Sequence, residues 1–449
     1  MPALINSDAK RAPFVFVPLD IRPFPTTTGN SLDYFRLWPN IVGNMNRISY
    51  IELWHELDGF KPMVFMAGPR QAGKTTLAKQ IAAGFSNSVY FNYDIPEDQR
   101  QLIASPRFYE NINRKDDTSP LVVLDEIHKY PMWKNYLKGA YDRDAGRFHF
   151  LVSGSGRLDI RQKGGDSLAG RYLFFHLWPF TLSELSGVKQ SLADFLKRPL
   201  KIDTSDSKGR RRIWEGLSRW SGFPEPFLKA RDEFHLLWSR SYTKQIVRED
   251  ILSLVHVQKV GHIELLLSLL PERVGSPLSL NQIAGSLGVS FDSIKSWLGV
   301  LDDFFLTFRI PPWTRKLARA ILKETKLYLM NPALVPDAGA RFENQVALEL
   351  HKAVAGWNER GEGEFSLHYV RTKEGDEADF LLVRDREPFL VIETKLSATD
   401  VSPSLRKLQN LLGVPALQLV NRPGIYKRMS EDRLPVVVAS AENWLPCLP

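Results

Sequence analysis

The 449 residues include a single cysteine, Cys447, close to the C-terminus. An internal disulfide is therefore impossible. A reducing cytoplasm is the expected compartment, because secreted proteins of this size normally carry disulfides. No apolar run approaches the roughly 20 residues needed to cross a bilayer, so no membrane partner is expected. The first residues place charges ahead of only a short apolar stretch and lack the layout of a signal peptide. Internal repeats and low-complexity tracts are also missing. The charge excess is small: 59 Lys and Arg against 51 Asp and Glu leave +8. Any case for an anionic partner must therefore rest on local clusters rather than on the field of the whole chain.

What is present is an ordinary globular composition, 43% hydrophobic and 24% charged, in a chain long enough for about three domains. Residues 1–45 are rich in Pro, Thr and Asn without a sustained period, and read as an N-terminal arm. A helical pattern starts at Arg47. Short apolar segments then follow at 63–67, 89–93, 121–124, 148–152 and 173–177, separated by helical or loop stretches. That alternation predicts a parallel sheet covered on both faces, an α/β core over 46–190. Residues 191–255 read as a helical lid and carry a basic knot of Lys208, Arg210, Arg211 and Arg212. Two further units are expected at 256–335 and 336–449.

The segment Gly68-Pro69-Arg70-Gln71-Ala72-Gly73-Lys74-Thr75, followed by Thr76, fits the phosphate-binding loop pattern, with a strand before it and a helix after it. The chemistry requires each part. Gly68 and Gly73 let the backbone bend and approach phosphate oxygens. Successive N–H groups and the helix N-terminus form an anion-binding concavity. Lys74 is expected to reach the β- and γ-phosphates of ATP, and the Thr75 hydroxyl to ligate Mg²⁺. Some fifty residues on, an apolar strand ends in Asp125-Glu126. Asp125 is expected in the Mg²⁺ shell, and Glu126 as the group that orients and deprotonates the attacking water. A further strand ends in Ser153-Gly154-Ser155, so Ser153 or Ser155 is a candidate sensor of the γ-phosphate. Arg171 precedes the next strand and is either a finger acting in trans on a neighbour's nucleotide or a sheet-edge residue.

These motifs together resemble a family of bacterial and archaeal AAA-type ATPases: GPRQAGKTT at 68–76, LVVLDEIHK at 121–129, SGSG at 153–156 and SLAGRYLFFHLWPFTLSEL at 167–185. WSGFPEPF at 220–227, VREDI at 247–251, KLYLMNPAL at 326–334 and the EADF to VIETK region at 377–395 match further stretches, so the likeness runs from about residue 46 onward. The resemblance implies an AAA+ P-loop ATPase joined to a helical region, a winged helix and a C-terminal domain of long-unknown function. It also favours Arg171 as functional, since the family pattern carries an arginine there. The chain departs from the pattern at Ser-Gly-Ser-Gly, where the family usually has a Thr-Gly-Ser-Ser type run, which leaves open which serine senses phosphate.

Residues 278–310 read as two short amphipathic helices with a turn at Gly288, a helix-turn-helix, followed by a wing strand over 304–310. The second helix starts at Phe291 and offers only Ser293 and Lys295 for contact with bases. A basic stretch follows, with Arg309, Arg315, Lys316, Arg319, Lys323 and Lys326 against only Glu324. Such cations suit phosphate contacts that do not depend on sequence. The alternative is a structural lid module.

The C-terminal part reads as a helix from about 340, three strands at 366–371, 378–383 and 389–394, an amphipathic helix at 403–412 and a strand at 416–420. Glu343 lies on the helix, Asp379 on one strand, and Glu393 and Lys395 on the next with their side chains toward one face. Carboxylates beside a lysine are what metal-dependent phosphodiester cleavage uses. The pattern looks like the restriction-endonuclease-like core of the PD-(D/E)XK type, with a second Mg²⁺ or Mn²⁺, serving either as a live nuclease or as a DNA-binding platform.

Two functions fit. One is an ATP-hydrolysing AAA+ motor that remodels or translocates on DNA in repair, recombination such as branch migration, or defence. It would bind DNA by structure rather than sequence and assemble as a homo-oligomeric ring such as a hexamer. The other is a nucleotide-controlled switch acting on a protein partner.

Overall fold

A computed structural model of the chain describes residues 47–155, 168–251, 260–314, 324–429 and 434–449. The expected N-terminal arm lies outside these residues. Five strands form the first sheet: β1 (Met63–Ala67), β2 (Ser88–Asn92), β3 (Leu121–Asp125), β4 (His149–Ser153) and β5 (Leu173–His176). Their order is β2-β3-β4-β1-β5 and every pairing is parallel. Alternation along β1 shows why the strand is apolar throughout. Met63, Phe65 and Ala67 join one core with Val122, Leu124, Phe150 and Val152. Val64 and Met66 join the other with Val123, Leu151 and Leu77. Both faces are covered, as in parallel sheets generally. The crossover helices Lys74–Ala83, Pro96–Ala104 and Trp133–Asp144 return the chain to the same edge each time. The loops leaving the C-terminal ends of β1, β3 and β4 therefore converge.

Helices Leu182–Ser186, Leu192–Lys197, Ser207–Trp220, Pro224–Lys229 and Asp232–Gln245 follow, and a π-helical turn Ile246–Ile251 ends the run. Three of these helices start at side chains that accept an orphan backbone N–H: Thr181 from Glu184, Ser191 from Asp194 and Asp206 from Gly209. The basic knot seen in the sequence is dismantled here. Arg210 is buried and donates to the Asp203 backbone oxygen at 2.7 Å and its carboxylate at 2.9 Å, while Arg211 pairs with Glu215 at 2.7 Å. These two arginines serve the fold rather than an outside anion.

Helices Leu280–Leu287 and Phe291–Asp303 bury Ile283, Ala284, Leu287, Ile294, Trp297, Leu298 and Leu301, and Leu280, which helical spacing places on the same face, is only partly buried. Gly288 stands between them at φ 62°, a left-handed position that suits glycine. The strand that follows, β6 (Thr307–Ile310), is shorter than the expected 304–310, because Phe304 caps the helix and Phe305 turns through φ 56°. It pairs antiparallel with β7 (Lys326–Leu329).

The helix Ala338–Glu359 then crosses a six-stranded mixed sheet of order β12-β13-β11-β10-β9-β8, with β8 (Phe365–Arg371), β9 (Glu377–Arg384), β10 (Glu387–Lys395), β11 (Ala416–Val420), β12 (Tyr426–Met429) and β13 (Val436–Ser440). Val346, Leu350 and Val354 of the helix pack with Leu382, Ile392 and Leu419 on one face. Leu405 and Leu408 of the helix Pro403–Leu412 pack with Leu381 and Val391 on the other. The long helix also grips the exit of β5. Glu349 accepts from the Leu182 N–H at 3.0 Å, Lys352 donates to the Pro179 carbonyl at 3.1 Å, and Glu359 accepts from the His176 N–H at 3.1 Å. Burial raises Glu349 and lowers Lys352, each partly offset by the other's charge. Among the described residues no helix is long and apolar enough to cross a membrane.

Candidate functional site

The loop 68–75 leaves β1 in a conformation that its glycines permit. Gly68 has φ 146° and Gly73 has φ 97°, and a Cβ on Gly68 would lie 2.2 Å from the Leu177 carbonyl oxygen. Gln71 takes a left-handed turn at φ 57° without being glycine. Gly73 caps the helix Lys74–Ala83, so the first N–H groups of that helix open toward the loop. Lys74 is buried and donates to the Gly68 carbonyl at 3.0 Å and the Pro69 carbonyl at 2.7 Å. Removal from water pulls its pKa down to about 8, against the opposing pull of Glu126 and Asp125.

Asp125 is where the predicted site residues meet. One carboxylate oxygen accepts from Thr75 Oγ1 at 2.7 Å and from the Tyr90 hydroxyl at 2.6 Å, and the other accepts from Ser153 Oγ. Strand order explains the meeting. β4 lies between β1 and β3, with Ser153 in register with Met66 on one side and Asp125 on the other. Ser155 is buried nearby, but no bond to the acids is among its described contacts. Thr75 and Asp125 offer two hard oxygen donors, the class that Mg²⁺ takes, and they already approach each other.

Glu126 sits at φ 55°, in the left-handed region, with its N–H on the Ser153 carbonyl at 2.9 Å. Its carboxylate faces Lys129 at 3.2 Å and His128 at 3.6 Å. Thus Lys74, Thr75, Asp125, Glu126 and Ser153 are gathered at one sheet edge. Arg171 is not among them. It precedes β5 at the edge where the strands begin, and pairs with Asp142 at 2.6 Å, which raises the guanidinium pKa.

Pro69, Ala72 and Thr76 lie in the same loop and first helical turn, but Arg70 and Gln71 turn away from it. Arg70 Nη2 donates to Asp250 at 2.7 Å, and Gln71 accepts from the Trp238 indole at 2.5 Å. Arg47 donates to the Ala72 carbonyl at 2.9 Å and to Glu184 at 2.7 Å. Sequence reading missed Arg47, Tyr90, Trp238 and Asp250. Arg47, Tyr90 and Trp238 stand in none of the quoted motifs, and Asp250 falls within the family match at 247–251 without a role being read for it.

At the C-terminal sheet, Glu343, Asp379 and Glu393 do come together, with Lys395 against Glu393 at 2.5 Å. Burial and then the Asp379 charge push Glu343 up to about 7, and the same two causes raise Glu393. Lys326 enters this centre unexpectedly. Sequence reading grouped it with exposed cations, yet it is 1% exposed and its Nζ lies 2.8 Å from Glu377, 3.2 Å from Glu343 and 3.3 Å from Asp379. Burial opposes its charge, but these carboxylates outweigh burial and raise its pKa. Among the described residues no group of three or more His, Cys, Asp and Glu is arranged to hold a metal ion. Of the other basic residues, Lys295 is exposed, Arg309 pairs with Asp302 at 2.6 Å, and Arg315, Lys316, Arg319 and Lys323 lie outside the described residues.

The site over residues 68–153 has the parts of a P-loop nucleotide-binding domain, and comparison with known proteins agrees. Residues 60–186 match a family model described as an AAA domain, so the chain carries an AAA-type P-loop ATPase domain. Residues 212–344 and 338–440 match two models described as domains of unknown function, DUF8612 and DUF4143. Two similar curated relatives are uncharacterized: protein Mb2031c of Mycobacterium bovis and protein Rv2008c of Mycobacterium tuberculosis. Each is 23% identical over 393 residues, covering 84% of this chain and 80% of the relative. Among solved structures, the Walker-type ATPase PABY2304 of Pyrococcus abyssi covers 64% of this chain and 94% of its own at 13% identity and a TM-score of 0.41. The S. cerevisiae Hsp104–ADP complex covers 70% and 44% at 11% identity and a TM-score of 0.28. Likenesses this distant define no detail of the site.

Proposed function

We propose that the protein hydrolyses ATP at the loop 68–75 and uses the cycle to remodel or translocate on DNA, as an AAA+ motor of repair, recombination or defence. The observation that carries the ATPase part is the meeting of Thr75, Ser153 and Tyr90 on Asp125, with Glu126 next in the chain. In this reading Lys74 gives up its two carbonyl partners to face the β- and γ-phosphates. Thr75 and Asp125 hold Mg²⁺, which when bound neutralises phosphate charge. Glu126 accepts a proton from the attacking water, and Ser153, rather than Ser155, reports the γ-phosphate. Arg171 stands at the strand-start edge, too far round the sheet to serve its own loop, which favours a role in trans within a ring such as a hexamer.

The modules along the chain follow the same proposal: a core at 46–190, a helical lid at 191–255, a winged helix at 256–335 and a restriction-endonuclease-like scaffold at 336–449. The paired helices with β6 and β7, and the mixed sheet under a long helix, support it. Exposed Lys295 and the basic run at 315–323 are the proposed phosphate contacts. Metal-dependent cleavage at Glu343, Asp379, Glu393 and Lys395 is no part of this proposal, because the Lys326 ammonium already stands between Glu343 and Asp379 and Lys395 pairs with Glu393.

A second reading is a nucleotide-controlled switch acting on a protein partner. The tie between Arg70 in the loop and Asp250 in the lid favours it, because nucleotide state can reach the lid without DNA. The deciding test measures ATP turnover with duplex, forked and four-way-junction DNA at rising salt. Stimulation that collapses with salt supports the motor. A rate indifferent to every DNA supports the switch.

A further inference from the structure

The C-terminal acids pose a problem of charge that the chain solves internally. Glu343, on the long helix, and Glu377 and Asp379, on β9, turn toward one point, and carboxylates crowded together and half-buried need a cation or hydrogen-bond donors there. That point holds the Lys326 ammonium, within 3.3 Å of all three. Further contacts hold these acids, although Glu393 Oε2 is buried without a hydrogen-bond partner. Glu343 Oε1 also accepts from the Tyr328 hydroxyl at 2.8 Å, and the Gly275 backbone lies so close to this carboxylate that a Cβ there would meet it at 2.9 Å. Asp379 Oδ2 accepts from the Thr394 N–H at 2.8 Å and the Thr394 hydroxyl at 2.7 Å. Glu393 is held by Lys395. A divalent ion taking this place would have to expel a buried ammonium.

We propose that Lys326 is a resident cation standing where a nuclease-like centre would keep its metal, so that this centre is a metal-independent structural joint rather than a cutting site. The same lysine opens β7, whose partner β6 belongs to the helix-turn-helix unit. One ammonium thus fills the acidic centre and fastens that unit to the sheet. A metal at the same place would give no such tether, since it belongs to neither strand. This inference stands apart from the ATPase reading, because none of its residues touches the loop 68–75.

The test is Mn²⁺ binding, followed by the loss of the free-ion electron paramagnetic resonance signal, on the full-length nucleotide-free protein in a Thr75→Ala background. The parent protein is expected to bind as much Mn²⁺ as its Asp379→Asn derivative. Lys326→Ala is expected to gain one equivalent, and adding Asp379→Asn to it should lower that affinity at least tenfold. A parent that binds an equivalent lost in Asp379→Asn would overturn the proposal, and so would a folded Lys326→Ala that gains none. If Lys326→Ala does not fold, the comparison of parent with Asp379→Asn decides alone: equal binding supports the resident cation and unequal binding refutes it.

Discussion

The guanidinium of Arg70 meets the carboxylate of Asp250 as a two-pronged fork, Nη2 to Oδ1 at 2.7 Å and Nε to Oδ2 at 2.5 Å. One partner belongs to the nucleotide loop, while the other is the buried acid of the π-helical turn 180 residues later. Arg70→Ala takes the fork away from a carboxylate that is 1% exposed. A quarter of the arginine side chain reaches solvent, so the full cost of breaking a buried pair does not apply. We expect a loss of about 2 kcal/mol in unfolding free energy, read by urea denaturation. Faster amide exchange over 246–251 should accompany it. Unchanged exchange there would show that the fork does not hold the π-helical turn.

Lys74 makes nucleotide affinity depend on pH in a defined direction. Its pKa in the free protein lies at about 8 because burial disfavours the charge, whereas phosphate oxygens favour the protonated form. Below pH 8 the ammonium is already present and binding takes up no proton. Above it, each binding event must protonate the amine, so affinity falls toward tenfold per pH unit. Calorimetry at pH 7 and pH 9 in buffers of different ionisation enthalpy should show this proton uptake only at the higher pH. Lys74→Ala should remove the trend and lower turnover by about a hundredfold or more.

The two serines at the end of β4 are separable. Ser153→Ala deletes a hydroxyl that bonds Asp125 and should reduce kcat about tenfold with little change in nucleotide affinity. Ser155→Ala should stay within about twofold of wild type, as expected of a residue without a bond to the acids. Equal losses in both would return the sensor role to either serine.

Glu126→Gln keeps the size and the left-handed backbone turn but loses the base. Turnover should drop by about a hundredfold or more while ATP still binds, seen as bound triphosphate that survives gel filtration. Turnover at the wild-type rate would remove Glu126 as the base.

The proposed phosphate site was legible in the sequence because its signals are local. The glycines at 68 and 73, the lysine and the threonine must follow one another for backbone reasons, and the acids must end a buried strand. Sheet content was legible too, since both faces of β1 and β3 are apolar. Partners brought in by tertiary contact were not. Nothing near Tyr90 or Asp250 in the chain announces Asp125 or Arg70 as a neighbour. Lys326 misled for the same reason: a lysine in a basic stretch looks solvated, and only packing reveals three carboxylates around it. Arg210 and Arg309 were hidden likewise, by Asp203 and Asp302.

The helix Ala338–Glu359 has a practical consequence for anyone cutting the gene. Its Glu349, Lys352 and Glu359 supply the bonding partners for backbone groups between His176 and Leu182, on the far side of the sequence from their own sheet. An ATPase fragment ending before residue 338 would leave those groups and a greasy flank bare. Such a fragment should come out of cells as inclusion bodies, and the enzymology is best attempted on the undivided polypeptide.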